Sequence, residues 1–282
     1  DELHNDSTSI SFYGAYLNAS QEKSRQGRET HAITWGFSKD HRPDLKQLLY
    51  ILTVTDDGGV PVHFTSASGN VVDDTTHIDT WDLLSQVLGS PDFLHVVDCK
   101  LASTANLNHL TARGGRFITV LPGTRREDHE FRNRLSSSPP PATAWQPVYN
   151  VTQPTIEGQE EIVDRFSVWA DEQQIEFRQA TPGRPGKNTT YVREAQPRFG
   201  LSAEVDAAQL EREATGDGRF PLLTNQRQMS AEEVLRAYKR QPLIEKRFSQ
   251  LKSDFVVAPV FLKEVSRIQA LLCVYFCALL VE

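Results

Sequence analysis

Polar and apolar residues roughly alternate from Ser7 to Tyr13, with Ser9, Ile10, Ser11 and Phe12 in turn, the two-residue period of a half-buried strand. This predicts a strand with Asp6 at its mouth. Two more runs, Leu48 to Thr55 and Val60 to Ser66, flank Asp56-Asp57-Gly58-Gly59, turn chemistry that predicts a hairpin. The period then lengthens. Ile78, Trp81, Leu84, Val87 and Leu88 recur at helical spacing, with Asp74 and Thr75 available as caps and Gly89 as a stop. Phe93 to Val97 is a short apolar run closed by Asp98. Leu101 to Leu110 reads as a helix ending near Gly114-Gly115, and Arg116 to Leu121 as another strand. Three strands, helix, strand, helix and strand make a mixed α/β sheet with an antiparallel beginning.

The pattern changes after this. Ser136 to Pro141 and Pro182 to Lys187 are loop-like, whereas Val148 to Val151, Phe166 to Ala170 and Gln174 to Arg178 are β-rich, so the block reads as an insertion. Ala203 to Arg212 has helical composition. Phe220 to Thr224 reads as a strand returning to the core after Asp217-Gly218, and Ser230 with Glu233 is a capping-box pattern that starts a helix. The expected organisation is a first core part over 1–121, a β-rich insertion over 122–216, and a second core part over 217–282. The stretch from Ala270 to Val281 is almost entirely apolar but falls short of the roughly 20 residues of a membrane span, which predicts a buried core helix.

Composition narrows the function. With 282 residues and 39% hydrophobic content the chain can bury a large core. Its 30 Lys and Arg against 37 Asp and Glu give a net charge of -7, the wrong sign for binding nucleic acid over the whole surface, so any such contact must be local. Cys99, Cys273 and Cys277 form no Cys-x-x-Cys pair with histidines nearby, which predicts neither a zinc site nor a disulfide framework and fits a reducing cytoplasm. Cys273 and Cys277 are expected as small core residues. The start at Asp-Glu-Leu-His, without methionine, reads as a fragment.

Three separated acids carry the candidate chemistry. Asp98 follows Leu94-His95-Val96-Val97, the carboxyl end of a strand where α/β sheets collect ligands, although it would serve equally as a helix N-cap. Asp6 could be a solvated turn residue. Glu245 lies in a locally basic stretch with Arg236, Lys239, Arg240, Lys246, Arg247 and Lys252, which could also be a solvated helix laced with ion pairs. Tyr238, Glu245 and Lys252 are seven apart, so on one helix they stay within about 20° of a line per step. Pro242 would kink that helix or start a new one after Gln241. If Asp6, Asp98 and Glu245 converge, two cations bridged by carboxylates could activate a water or a 3′ hydroxyl against a phosphodiester. Hard oxygen donors favour Mg²⁺ (or Mn²⁺) over zinc.

Taken together, several segments resemble the DDE transposases of bacterial insertion sequences, in the group marked by a Tyr-x2-Arg-x3-Glu-x6-Lys signature. They are Asn5 to Ser9, Gly36 to Leu45, Val96-Val97-Asp98, Asp217-Gly218 with Leu223-Thr224-Asn225, and Tyr238 through Lys252. The resemblance implies an RNase H-like mixed sheet flanked by helices and interrupted by a β-rich insertion between the second Asp and the Glu. It implies Asp6, Asp98 and Glu245 as the catalytic, metal-binding triad with two Mg²⁺ or Mn²⁺ ions. Tyr238 and Lys252 would be contacts to double-stranded DNA at element ends, in a dimeric complex at the nucleoid. The signature arginine is Gln241 here, with Arg240 one position earlier. Gln can donate to a phosphate but cannot neutralise it, so either Arg240 substitutes or end binding weakens. Trp145 and Trp169 fall in the insertion, where related enzymes stack an extruded base, a use that competes with ordinary packing. The function so implied is metal-dependent cleavage at transposon ends and strand transfer. The alternatives are a non-mobile RNase H-like nuclease or resolvase, and an inactive DNA-binding remnant.

Overall fold

The computed structural model describes residues 1–17, 19, 24–25, 28–154, 160–168, 214 and 216–282. Strand β1 (Glu2–Phe12) is buried along nearly its whole length. It pairs antiparallel with β4 (Lys46–Thr55), which in turn forms the expected hairpin with β5 (Pro61–Ser68). The short β2 (Ser24–Arg25) and β3 (Arg28–Glu29) form a separate two-stranded sheet. On its other side β1 pairs parallel with β6 (Leu94–Val97), which pairs parallel with β7 (Arg116–Val120). A late strand, β10 (Leu222–Thr224), closes the far edge antiparallel to β7, giving the order β10-β7-β6-β1-β4-β5. Between them in the chain, β8 (Gln146–Pro154) and β9 (Glu160–Val168) form their own two-stranded sheet.

β1 begins earlier than its alternation suggested, so Asp6 lies inside the strand and not at its mouth. The polar residues that hid this start are satisfied indoors. Asn5 Nδ2 donates to the Leu52 carbonyl and to Thr53 Oγ1 at 3.0 Å each, and His4 Nδ1 lies 2.7 Å from Gln241 Oε1. A buried polar group with its partners in place costs little.

Helices cover both faces of the sheet, the mixed layered arrangement expected of an RNase H-like core. On one face α1 (His77–Leu88) and α2 (Thr104–Ala112) pack Trp81, Leu84, Leu107 and Leu110 against Leu3, Val97 and Phe117. α1 ends as its sequence predicts, with Gly89 left-handed at φ 68°. On the other face lie α4 (Ala231–Tyr238), α5 (Pro242–Ser249) and α6 (Val265–Val281). There Ile244, Phe248, Ile268 and Leu272 meet Ile10, Leu48, Tyr50 and Leu52, while Val234 and Ala237 meet Leu94, Val96 and Ile118.

The capping box forms. Ser230 Oγ accepts from the Glu233 amide at 3.2 Å, and Glu233 Oε2 accepts from the Ser230 amide at 2.7 Å. Ser230→Ala is expected to cost about 1 kcal/mol in a urea unfolding titration. An unchanged midpoint would show that packing alone sets this helix start.

One helix has no counterpart in the hydrophobic pattern. α3 (Arg126–Ser137) is nearly all polar and buries only Asp128 and Leu135. It is supported by ion pairs one turn apart, Arg126 to Glu130 at 3.2 Å and Arg132 to Asp128 at 2.7 Å, which produce no apolar period. α6 is buried along one face only. Cys273 and Cys277 are exposed, which corrects their expected place in the core, because the buried line runs through Val265, Ile268, Leu272 and Leu279. Among the described residues, no helix is long and apolar enough to cross a membrane. Gln174 to Arg178, Pro182 to Lys187, Ala203 to Arg212 and Trp169 lie outside the described residues.

Candidate active site

Parallel pairing of β1 and β6 runs from Glu2 opposite Leu94 to Asn5 opposite Val97 and stops there. The next residue of each strand is an aspartate. Asp6 and Asp98 therefore follow the last paired position of two strands that lie about 4.8 Å apart, at the point where β6 ends and β1 continues alone beside β4. The two-residue period puts Asp6 on the same face of β1 as Ile10 and Phe12, the face covered by α4 to α6. Burial raises the Asp6 carboxyl, Lys39 opposes the rise, and Asp98 adds to it. The Asp98 carboxyl is raised too, mainly by burial and further by Asp73, against the Lys100 amide and Lys39. Asp98 is also the N-cap that its position allows, with Oδ1 accepting from the Lys100 amide at 3.0 Å. Capping uses one oxygen of the carboxylate. The other oxygen is left for a further partner.

Two residues absent from the sequence reading of the site stand beside this pair. Lys39 Nζ lies 3.3 Å from Asp6 Oδ1 and 3.0 Å from Asp73 Oδ2. Both arrive on loops pressed together by glycines. A Cβ on Gly36 would sit 1.8 Å from the Gly69 carbonyl oxygen, and one on Gly69 would sit 2.1 Å from that of Gln47, so neither position admits a side chain. Gln47 ties the two loops, its amide donating to the carbonyls of Phe37 at 3.0 Å and Gly69 at 2.8 Å. The only sequence signal was Lys39's membership of the Gly36 to Leu45 segment. Asp73 sat unmarked ahead of the proposed caps.

The third acid arrives on α5. Pro242 is the first residue of that helix and does start it anew, after a turn over Lys239 to Gln241, so Tyr238 and Glu245 sit on separate helices and not on one line. Glu245 is exposed beside the buried Ile244. Tyr238, at the end of α4, feels all three acids. Burial first, then Asp98, Cys99, Glu245 and Asp6 in that order, push its hydroxyl up to about 12. All three acids thus act on Tyr238 electrostatically.

Arg240 and Lys252 are already engaged. Arg240 Nε donates to Glu2 Oε1 at 2.7 Å and its NH2 group donates to the other carboxylate oxygen. Gln241, the residue after Arg240, is buried against His4. Burial alone would raise the Glu2 carboxyl, but hydrogen bonds from His4 and Arg240 hold it at about 2. Glu2, His4, Arg240 and Gln241 thus form a clasp that fixes the α4–α5 turn to the start of β1. Lys252 lies in a π-helical turn (Gln250–Asp254) after α5 and pairs with Asp40, the neighbour of Lys39. Trp145 stacks on Arg219 at 5.3 Å, and Lys239 and Arg236 lie over Phe166 and Tyr149 of the β8–β9 hairpin at 4.1 and 5.6 Å.

The donor chemistry fits a hard divalent cation at Asp6 and Asp98, which offer carboxylate oxygens beside an ammonium already seated among oxygens. Among the described residues, no three of His, Cys, Asp and Glu stand close enough together to hold a metal ion, so Glu245 is not within ligating distance of both aspartates at once. No curated protein matches the chain. A family model described as a transposase DDE domain matches residues 3–281, from the second residue of β1 to the last of α6. The paired aspartates, the sheet that presents them and the helices that close over them all fall within that match, and the chain belongs to the DDE-domain transposases.

Proposed function

We propose that this chain cuts DNA at the ends of a mobile element and joins the freed 3′ hydroxyl to target DNA, with Asp6, Asp98 and Glu245 holding two Mg²⁺ or Mn²⁺ ions. The observation that carries the reading is the placement of Asp6 and Asp98 just past the last paired position of two parallel strands, in a chain spanned by a transposase DDE domain. When bound, such cations activate the attacking oxygen and stabilise the leaving one. The protein supplies the anionic cradle. Burial and neighbouring carboxylates, Asp98 at Asp6 and Asp73 at Asp98, make the two aspartates costly to ionise, so a cation that compensates them is drawn to the cleft. Tyr238 keeps its proton at working pH, and its hydroxyl donates a hydrogen bond to a phosphate oxygen. Glu245, exposed on α5, would complete the cradle by an approach of that helix.

Lys252 would exchange Asp40 for a phosphate of the element end. Arg240 reaches DNA only by releasing Glu2, so its larger contribution is to hold the α4–α5 turn. With a net charge of -7, double-stranded DNA is bound along this one strip, and two protomers, each holding an end, form the working dimer. Lys252→Ala is expected to reduce the slope of log affinity against log salt by about one unit. Its half-exposed pair with Asp40 is worth at most about 1 kcal/mol, so melting should hardly move. Unfolding with an unchanged slope would make Lys252 structural.

The test of the function is a plasmid carrying two element ends, incubated with the chain and Mn²⁺ beside a target plasmid. Free 3′ hydroxyl ends and their joining to the target are expected, with both products absent in Asp6→Asn and Glu245→Gln. Cleavage without joining makes this a nuclease on the same fold. DNA bound without cleavage makes it a remnant.

A further inference from the structure

The Lys39 ammonium meets more oxygen than three N–H groups can satisfy. Nζ lies 2.7 Å from the Ser7 carbonyl oxygen and 2.7 Å from the Ser7 hydroxyl, 3.3 Å from Asp6 Oδ1 and 3.0 Å from Asp73 Oδ2. Asp98 is near enough to act on it electrostatically. The backbone is held as well, because the Lys39 amide donates to Ser9 Oγ at 3.1 Å. A cradle of carbonyl, hydroxyl and carboxylate oxygens is the kind that hard cations choose. Here a single positive charge on a flexible stem fills it.

We propose that Lys39 is a tethered counter-cation of the active site, standing at Asp6 in place of a divalent ion until one arrives, and that Asp73 is the carboxylate onto which it withdraws. The inference rests on Asp6 and Asp98 being cation ligands. A divalent ion on Asp6 would repel an ammonium 3.3 Å from the same oxygen, so Nζ must leave Asp6 as the ion enters. Asp73 is already the nearer carboxylate, and the Gly36–Gly69 contact holds its loop beside that of Lys39. Lys39 thus competes with the metal and keeps the clustered acids compensated without it. Asp73 acts through Lys39 and is a positioning residue. It eases metal entry by giving the ammonium somewhere to go.

Mn²⁺ binding to the full chain, measured by titration calorimetry, tests this, with melting curves in chelator as the second readout. Lys39→Gln keeps a donor for Ser7 and removes the charge. It should bind Mn²⁺ about tenfold more tightly than the parent and melt lower in chelator. Lys39→Met should do the same, since the effect lies in the charge. Asp73→Asn should weaken Mn²⁺ binding in the parent and lose most of that effect in the Lys39→Gln background. A purely structural lysine would not tighten metal binding when removed. Unchanged or weaker affinity in both Lys39 variants overturns the proposal, and an equal loss from Asp73→Asn in both backgrounds makes Asp73 a ligand and overturns its assigned part. A parent that binds no Mn²⁺ overturns the cation-site reading and this inference with it. Binding lost in Asp6→Asn but untouched in Lys39→Gln overturns this inference alone.

Discussion

Asp98→Asn is expected to lower DNA cleavage about a thousandfold or more while leaving the metal-free protein at least as stable as the parent. The two halves have separate causes. Burial, with Asp73 adding to it, raises the Asp98 carboxyl in the folded chain above its unfolded value. A raised carboxyl favours folding below the unfolded value, and that contribution is lost as pH rises through the folded one, so at neutral pH the charged form works against the fold. An amide of the same shape removes this cost. Its oxygen still accepts the Lys100 amide now 3.0 Å from Asp98 Oδ1, so the cap survives. The charge that draws a cation is gone, however. Metal ions would provide several kcal/mol of transition-state stabilisation, and each 1.36 kcal/mol is tenfold in rate, so losing one carboxylate that would hold them amounts to about three powers of ten. Most of the stabilisation that Mn²⁺ gives the parent should vanish too. Melting curves with and without Mn²⁺, beside a cleavage assay on element DNA, decide it. A variant that keeps metal stabilisation and cleavage removes Asp98 from the site.

How legible the fold was depended on how each element is held. The β4–β5 hairpin, α1 with its Gly89 stop and the Ser230 capping box were readable because side-chain period or turn chemistry determines them locally. β1 was cut short because His4 and Asn5 look like loop residues until Gln241 and the Leu52 carbonyl, both distant in sequence, satisfy them. α3 escaped because its supports are ion pairs. The exposed side of α6 was hidden by uniformity, since a stretch apolar all round does not say which face is covered.

In the candidate site the proposed acids carried signals in the sequence and the pairing of the cations did not. Asp98 was marked by its place after a strand, and the register of β1 on β6, which no local pattern shows, brings Asp6 beside it. The spacing of Tyr238, Glu245 and Lys252 suggested one helical line. Pro242 starts a new helix and breaks that line, yet Asp98, Glu245 and Asp6 all still act on Tyr238 electrostatically. Charge alone could not separate the pairing of Arg240 with Glu2, or of Lys252 with Asp40, from a phosphate contact, because a free cation and a clasped one are spelled alike. Lys39 and Asp73 meet only through two glycines that admit no Cβ, a constraint visible in three dimensions alone.

Acid is expected to cost this protein about 4 kcal/mol of stability between pH 7 and pH 5 through two core histidines. His77 is 4% exposed and His95 0%, and neither has a partner on either ring nitrogen. Burial pushes His77 down to about 4, against the pull of Asp73 and Asp74, and His95 down to about 3. Folded values below the unfolded value of about 6.5 mean that the unfolded chain takes up protons first as pH falls. The contribution is therefore whole above about 6.5 and is lost progressively towards the folded values. Each histidine costs about 1.36 kcal/mol per unit, so one and a half units for two residues come to about 4 kcal/mol, a large part of a domain's usual 5–15. Asp6 and Asp98 carry the opposite sign, since their raised carboxyls gain protons in the folded state as pH falls, and they offset part of the loss. The difference between chains isolates the histidines. Urea unfolding at pH 7 and pH 5 should show the parent losing about 4 kcal/mol more than the His77→Leu, His95→Leu double variant, and equal losses would mean that both rings find hydrogen-bond partners in solution.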